Sequence, residues 1–150
     1  MQRTIISTSI AAAVLIATIG SPERSDAAAL DVFQFSQGGT MPTGTEGLNV
    51  SFTVPAGKQL VIEYVAGNCF VPAGQTCVFS IFTDLGGVTR QFNIETEGVG
   101  AFGGGGVLWR AGESVKLYAN SGTTVMLRAD RNAPSGTANI TFMSLSGYLQ

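Results

Sequence analysis

The chain has 150 residues, of which 45% are hydrophobic and 12% charged, and its formal net charge is -2. It contains no histidine, which excludes Ser-His-Asp and Cys-His nucleophilic sites, His-rich zinc sites and the commonest general base near neutral pH. The weakly acidic balance, with lysines and arginines scattered singly, argues against a nucleic-acid partner.

The N-terminal segment has the pattern of a secretory signal peptide. An arginine precedes an almost uncharged apolar run, residues 5–19, which is short for a membrane span. Ala27-Ala28-Ala29 fits the small-residue cleavage rule and predicts cleavage before Leu30, although cleavage two residues earlier also fits. An uncleaved membrane anchor is the alternative. We therefore expect a signal peptide over residues 1–29 and one secreted or periplasmic domain over residues 30–150, with no membrane span in the mature chain.

Beyond the leader, apolar side chains recur at every second position, which is typical of half-buried antiparallel strands. Five runs show this alternation, with apolar positions at Leu48, Val50, Phe52 and Val54; Phe92 and Ile94; Val115, Leu117 and Ala119; Val125, Leu127 and Ala129; and Ala138, Ile140 and Phe142. Two further runs, "QLVIEYV" and "VFSIF", are apolar on both faces and are expected to be central or covered strands. The pattern predicts an all-β fold, a single antiparallel two-layer β-sandwich, jelly-roll-like, with about 8–10 strands.

Cys69 and Cys77 lie between the two doubly apolar runs and bracket a Pro-Ala-Gly turn. An exported chain with two thiols and no others is expected to pair them across the base of a hairpin loop. A redox-active pair is a weaker alternative, because the spacing is not Cys-x-x-Cys and no neighbouring cation would lower a thiol pKa. Metal binding by the two thiols is the other alternative to a structural disulfide.

Residues 98–103 read Gly-Val-Gly-Ala-Phe-Gly and match the GxGxxG pattern of dinucleotide-binding loops. Such a loop needs a helix directly after it, because the helix N-terminus holds the pyrophosphate. Here more glycines and another turn follow, and glycine is among the poorest helix formers. We interpret the segment as a long, mobile connection between two strands, whose glycines would let a ligand or a neighbouring chain approach closely.

Carboxylates are the remaining candidates for chemistry. Glu95 and Glu97 could share a strand face, and glycoside hydrolysis needs only a pair of acids. Asp31, Asp84 and Asp130, together with loop carbonyls, could offer oxygen ligands to Ca²⁺, but no Asp-x-Asp-x-Asp-Gly loop occurs. Scattered surface acids beside turns are the simpler explanation of both sets. We expect no catalytic residues, no cofactor and no metal site.

Aromatic side chains suggest a binding site of a different kind. Trp109 and Tyr118 flank a turn that also contains Arg110, and an exposed aromatic on a β-sandwich can stack on a sugar ring. These three residues are therefore candidates for ligand binding. The alternative is that Trp109 packs in the core or against Arg110.

Three segments, "FTVPAGKQLVIEYVAG", "VKLYANSGTTVMLRADRN" and "ITFMSLSGYL", together resemble a group of small exported bacterial proteins. The resemblance implies a single-domain β-sandwich and a bacterial exported protein, and it transfers no active-site residue. Where that group commonly has "YADPGT", this chain has "YANSGT" at residues 118–123, so an acidic ligand at that turn is lost.

These patterns favour a secreted, non-enzymatic β-sandwich that acts as a structural or interaction module. Its edge strands and flat faces make self-association into a homo-oligomer one form of that role. A carbohydrate-binding module that uses an exposed aromatic is the alternative. The expected partner is accordingly an unidentified protein, a glycan or a second copy of the chain.

Overall fold

A computed structural model of the protein describes residues 30–102 and 104–150, so the predicted signal peptide lies outside the described residues. The described chain forms nine strands: β1 (Asp31–Met41), β2 (Gly47–Thr53), β3 (Leu60–Pro72), β4 (Cys77–Leu85), β5 (Val88–Ile94), β6 (Thr96–Phe102), β7 (Gly106–Ala119), β8 (Thr124–Arg131) and β9 (Ala138–Leu149). This content confirms the predicted all-β class. In the part of the chain that the structure describes, no helix has the length and apolar character to cross a membrane.

The strands form two antiparallel sheets. The five-stranded sheet has the order β1-β9-β3-β7-β6, and the four-stranded sheet has the order β2-β8-β4-β5. Early strands pair with late strands in reverse sequence, β1 with β9, β2 with β8, β3 with β7 and β4 with β5, as in one long hairpin. Placing β9 beside β3 and β8 beside β4 rolls that hairpin into two facing layers. The result is the predicted jelly-roll-like sandwich, with β6 added beside β7 at one edge.

The core lies between the two sheets and is built from the alternating apolar positions. Most of the predicted inward positions of β2, β7, β8 and β9 are buried: Val50, Val54, Leu117, Ala119, Val125, Leu127, Ala129, Ala138 and Ile140. The two doubly apolar runs fall in β3 and β4, which are interior strands of their sheets, as predicted. At the start of β3 the side chains on both faces are buried, with Leu60, Val61 and Ile62 at most 1% exposed.

Two predicted inward positions differ in the structure. Phe92 of β5 is 40% exposed, because β5 is an edge strand whose residues before Ile94 are exposed on both faces. Phe142 of β9 is only half-buried, and Met143 takes the interior place. The cause is a register shift between β9 and β3. Asn68 pairs with Phe142, but the next residue, Cys69, pairs with Ile140, so Thr141 is one extra residue in β9. This extra residue reverses the alternation of buried and exposed side chains.

The disulfide between Cys69 and Cys77 is present, but the expected hairpin is not. Cys69 lies in β3 of the five-stranded sheet and Cys77 begins β4 of the four-stranded sheet, so the bond ties the two layers together. Close packing accompanies the bond, because a Cβ on Gly67 of β3 would come within 2.6 Å of the Phe79 ring of β4. The connection between the strands is therefore an arch that crosses the sandwich.

The glycine-rich segment is also different from the prediction. Residues 96–102 form strand β6, which pairs with β7 from Thr96 opposite Ala111 to Phe102 opposite Gly106. Most of the segment predicted as a mobile connection is therefore a sheet edge, and the chain turns back at once into β7. The strand that follows, rather than a helix, is inconsistent with a dinucleotide-binding loop.

Arg131, at the end of β8, is a charged side chain that is only 4% exposed. Its guanidinium donates hydrogen bonds to the backbone oxygens of Pro42 (2.8 Å), Thr45 (2.8 Å) and Gly136 (2.9 Å). Backbone carbonyls thus replace the water that the cation loses on burial. The side chain fastens the β1–β2 connection to the β8–β9 connection at one end of the sandwich.

Removal of the disulfide should destabilise the domain measurably. Closing a ring with a sequence separation of 8 restricts the unfolded chain and is worth about 2–3 kcal/mol on the chain-entropy model. Urea unfolding with and without dithiothreitol should therefore show a lower midpoint under reducing conditions. The double variant Cys69→Ala/Cys77→Ala serves as the control and should not respond to the reductant. Equal midpoints for the unaltered protein in both conditions would contradict the prediction.

Candidate functional site

The outer face of the five-stranded sheet carries a row of small side chains that crosses the strands. The registers align Ser36 of β1 with Ser144 of β9, Ser144 with Ala66 of β3, and Ala66 with Gly112 of β7. Their sequence neighbours Leu145 and Val65 are buried, so this row is directed to solvent. We call this row of four residues the small-residue row.

Tyr64 of β3 lies beside the small-residue row and is the most exposed tyrosine that the structure describes, at 44%. Its phenol oxygen would be 2.8 Å from a Cβ on Gly112, so the ring leans from β3 across β7 and rests on the bare backbone there. In the next row the registers place Tyr64 beside Ser146, which in turn pairs with Gln34. The ring therefore stands at the middle strand of the sheet, between polar side chains on one side and Gly112 on the other.

A shallow groove of about 420 Å³ opens on the β1–β9 side of the ring. We call it the serine groove, and it is lined by Gln34, Phe35, Ser36, Tyr64, Ser144, Leu145 and Ser146. It contains three hydroxymethyl side chains, one amide and one phenol, and no charged residue. None of these polar side chains bonds to another side chain or backbone group within residues 30–102 and 104–150. Their donors and acceptors therefore face solvent unpaired.

A second depression of about 480 Å³ lies on the β6–β7 side of the ring, and we call it the charged groove. Its lining is Glu95, Thr96, Glu97, Arg110, Ala111 and Gly112. The predicted acid pair thus borders one depression, and Glu113 accepts a hydrogen bond from the backbone N–H of Glu95 at 3.4 Å. Both Glu95 and Glu97 are exposed, so neither has the apolar pocket that adapts a carboxyl group to acid catalysis.

Each of the three aspartates considered for Ca²⁺ interacts with a different partner. Asp31 is 3.9 Å from the Lys58 ammonium, and Asp84 accepts a hydrogen bond from the backbone N–H of Gly87 in the β4–β5 turn. The single Nε–H of Arg128 is shared by the two carboxylate oxygens of Asp130, at 2.7 and 2.8 Å, and this pairing raises the pKa of Arg128. Across the described ranges, no group of three or more acidic or cysteine side chains is arranged to hold a metal ion.

The structure does not bring Trp109, Arg110 and Tyr118 together. Trp109 is half-buried against the core, and its indole N–H donates to the backbone oxygen of Gln75 at 3.1 Å. Arg110 points to the opposite face of β7, into the charged groove. Tyr118 is eight residues further along β7, roughly 25 Å away at the usual rise of a strand. The interior packing considered for Trp109 is therefore the arrangement found.

Tyr64 is the exposed aromatic that the sequence did not indicate. Strict alternation from Leu60 and Ile62 places Tyr64 in the interior and Val65 outside. A register shift between Ile62 and Tyr64 reverses this order, so that Val65 is buried and Tyr64 faces solvent. Glu63 does not mark this break, because strict alternation already places it on the outer face.

Comparisons of this chain with models of protein families and with curated protein sequences both find no match. The candidate site is therefore defined by its geometry and its chemistry alone.

Replacing Trp109 should affect stability through one hydrogen bond. Trp109→Phe keeps a ring in the half-buried position but leaves the Gln75 carbonyl without its donor, which should cost about 1 kcal/mol of unfolding free energy. Urea unfolding monitored by circular dichroism measures the change. Tyr118→Phe removes a polar atom from the outer face of the same strand and should leave the midpoint unchanged. If Trp109→Phe unfolds like the unaltered protein, the indole hydrogen bond has no stabilising role.

Proposed function

We propose that the mature protein is an exported, non-enzymatic interaction module that associates with a second copy of itself through the edge strand β5. The lack of histidine and the exposed positions of Glu95 and Glu97 support a non-enzymatic role. The disulfide between the layers supports export to an oxidising compartment. The observation that carries self-association is the open edge at β5.

Three of the four sheet edges have features that oppose pairing with another chain. The register of β1 shifts between Gln37 and Gly39, after seven regular pairs, and that of glycine-rich β6 shifts between Gly98 and Gly100, so a bulge interrupts each ladder. The β2 edge is held against the facing sheet, because Phe52 of β2 packs on two rings of β1, with the nearer centroid at 4.7 Å. These edges are protected by bulges or by contact with the facing sheet.

The β5 edge has none of these features. Its pairing with β4 runs without a shift from Ile94 opposite Phe79 to Val88 opposite Leu85. Its sequence, "VTRQFNI", contains no proline, lysine or acidic residue. Every residue before Ile94 is exposed, so both its faces and its free backbone groups are accessible.

The exposed side chains at this edge favour an apolar partner strand. Val88 is 48% exposed, Leu85 45% and Phe92 40%. In a symmetric antiparallel pair centred on Gln91, Arg90 lies opposite the second copy's Phe92, so the two arginines are not opposed. A pair of this kind is self-complementary, extends the four-stranded sheet across two copies and satisfies the free edge of each.

Export should leave a defined N-terminus on the mature protein. If residues 1–29 act as a signal peptide, the purified exported protein should begin at Leu30, or at Ala28 for the earlier cleavage site. Intact-mass spectrometry of protein recovered from the periplasm or the medium gives the answer. A chain that retains its leader at the membrane fraction would support the anchor instead.

A lysine on the edge should abolish self-association. We expect the unaltered protein to elute as a dimer in size-exclusion chromatography with light scattering, and Val88→Lys to elute as a monomer, because each lysine would lie opposite the second copy's Ile94 and lose water without gaining a partner. Val78→Lys is the matched control, since Val78 is the same residue type at 49% exposure on the outer face of interior strand β4, and it should remain dimeric. A monomeric unaltered protein, or a dimer that survives Val88→Lys, would overturn the proposal.

A further inference from the structure

We propose that the serine groove and the small-residue row form a binding site for a neutral carbohydrate chain, with Tyr64 as its stacking platform. This site lies on the outer face of the five-stranded sheet, whereas the proposed dimer contact is the edge of the other sheet. The two proposals therefore rest on different residues and different surfaces.

The chemistry of the lining matches a polyhydroxyl ligand. One face of a sugar ring presents C–H groups, which pack on an aromatic ring, and its rim presents hydroxyls, which need donors and acceptors. Tyr64 supplies the ring, and Gln34, Ser144 and Ser146 supply an amide and hydroxyls that make no bonds within the described chain. Ligand sites in proteins combine an apolar contact surface with a few such orienting polar groups.

The absence of charge in the serine groove selects against other ligand classes. A nucleic acid or an acidic polysaccharide needs a set of cations along its path, and the lining residues of this groove include none. Arg110, in the charged groove beyond Tyr64, is accompanied there by Glu95 and Glu97. A neutral sugar chain loses little by leaving water here, because its hydroxyls exchange water for protein hydroxyls of the same kind.

The shape of the surface favours a linear chain over a single small molecule. The open part of the small-residue row crosses three adjacent strands, from Ser36 through Ser144 to Ala66, and spans roughly 10 Å at the usual spacing between strands. Ala66 continues the row beyond the serine groove and projects little above the sheet, whereas Gly112 lies under the Tyr64 ring. An extended ligand can therefore lie across the strands from Ser36 to Ala66 with Tyr64 at its side.

Gly112 has a positioning role in this arrangement. A Cβ at this residue would lie 2.8 Å from the phenol oxygen of Tyr64, so any larger side chain must lift the ring from the sheet. The glycine thus keeps the ring in one place without a hydrogen bond to hold it. A displaced ring should bind weakly even though every polar group of the serine groove is unchanged.

Calorimetric titration with soluble neutral hexasaccharides tests the site, using cellohexaose, maltohexaose and hexa-N-acetylchitohexaose as the probes. We expect at least one of them to bind with one site per chain. Tyr64→Ala should weaken that binding by about tenfold or more, because it removes the stacking surface, while Tyr64→Phe should keep most of it. Gly112→Val should weaken binding to a similar degree with the folded spectrum retained.

Val78→Ala is the matched control, since it removes an apolar side chain of similar exposure from the outer face of the other sheet, away from both proposed surfaces, and should leave the affinity for the hexasaccharide unchanged. Light scattering on the same variants separates the two proposals, because Tyr64→Ala should remain dimeric. Failure of all three neutral probes to bind, binding only to charged chains such as heparin or polygalacturonate, or equal loss in Tyr64→Ala and Val78→Ala would each overturn the assignment.

Discussion

The packing of three phenylalanines closes one side of the sandwich, whereas on the other side only the last residue of the edge strand β5 is buried. Phe52 of the four-stranded sheet contacts both Phe33 and Phe35 of the five-stranded sheet, with ring centroids 5.0 and 4.7 Å apart. On the opposite side the chain passes from one sheet to the other through Glu95, a single residue between β5 and β6. Burial in β5 is confined to Ile94, the residue next to that link, so β5 diverges from the facing sheet beyond it. The two edges of the four-stranded sheet therefore differ: β2 packs on β1 through Phe52, whereas β5 is exposed up to Ile94.

Periodicity predicted the layers of this protein but could not predict where it is interrupted. The alternation in β2, β7 and β8 identifies their buried residues, because one face of each strand must avoid water throughout its length. Tyr64 and Phe142 lie just beyond register shifts, where one added residue exchanges the two faces. A bulge arises where one strand has an extra residue relative to its neighbour, so its position depends on both strands and is not visible in either sequence alone. The central aromatic of the candidate site was hidden for this reason.

The sequence also could not show which of the two sheets each segment joins. A turn between Cys69 and Cys77 suggests a hairpin, yet the same few residues also suffice to cross from one layer to the other. The glycine-rich segment has low intrinsic preference for a strand and was therefore predicted as a connection. It becomes β6 because β7 offers an unpaired edge beside it, and backbone groups that would otherwise lack partners bond there. Both outcomes were decided by partners that are distant in sequence or in the other layer.

The outer face of the five-stranded sheet gives the strongest reason to regard the small-residue row as functional. Near one end of the same face, the registers align Val32, Tyr148, Val61 and Tyr118, and the tyrosines flank Val61, which is only 1% exposed. Aromatic and β-branched neighbours of this kind are what stabilise a pleated surface. The small-residue row on the same strands forgoes that stabilisation, since glycine and alanine are depleted in strands and offer little to pack against. The exception is Gly112, which the Tyr64 ring covers, so the part of the row that stays open to solvent is Ser36, Ser144 and Ala66.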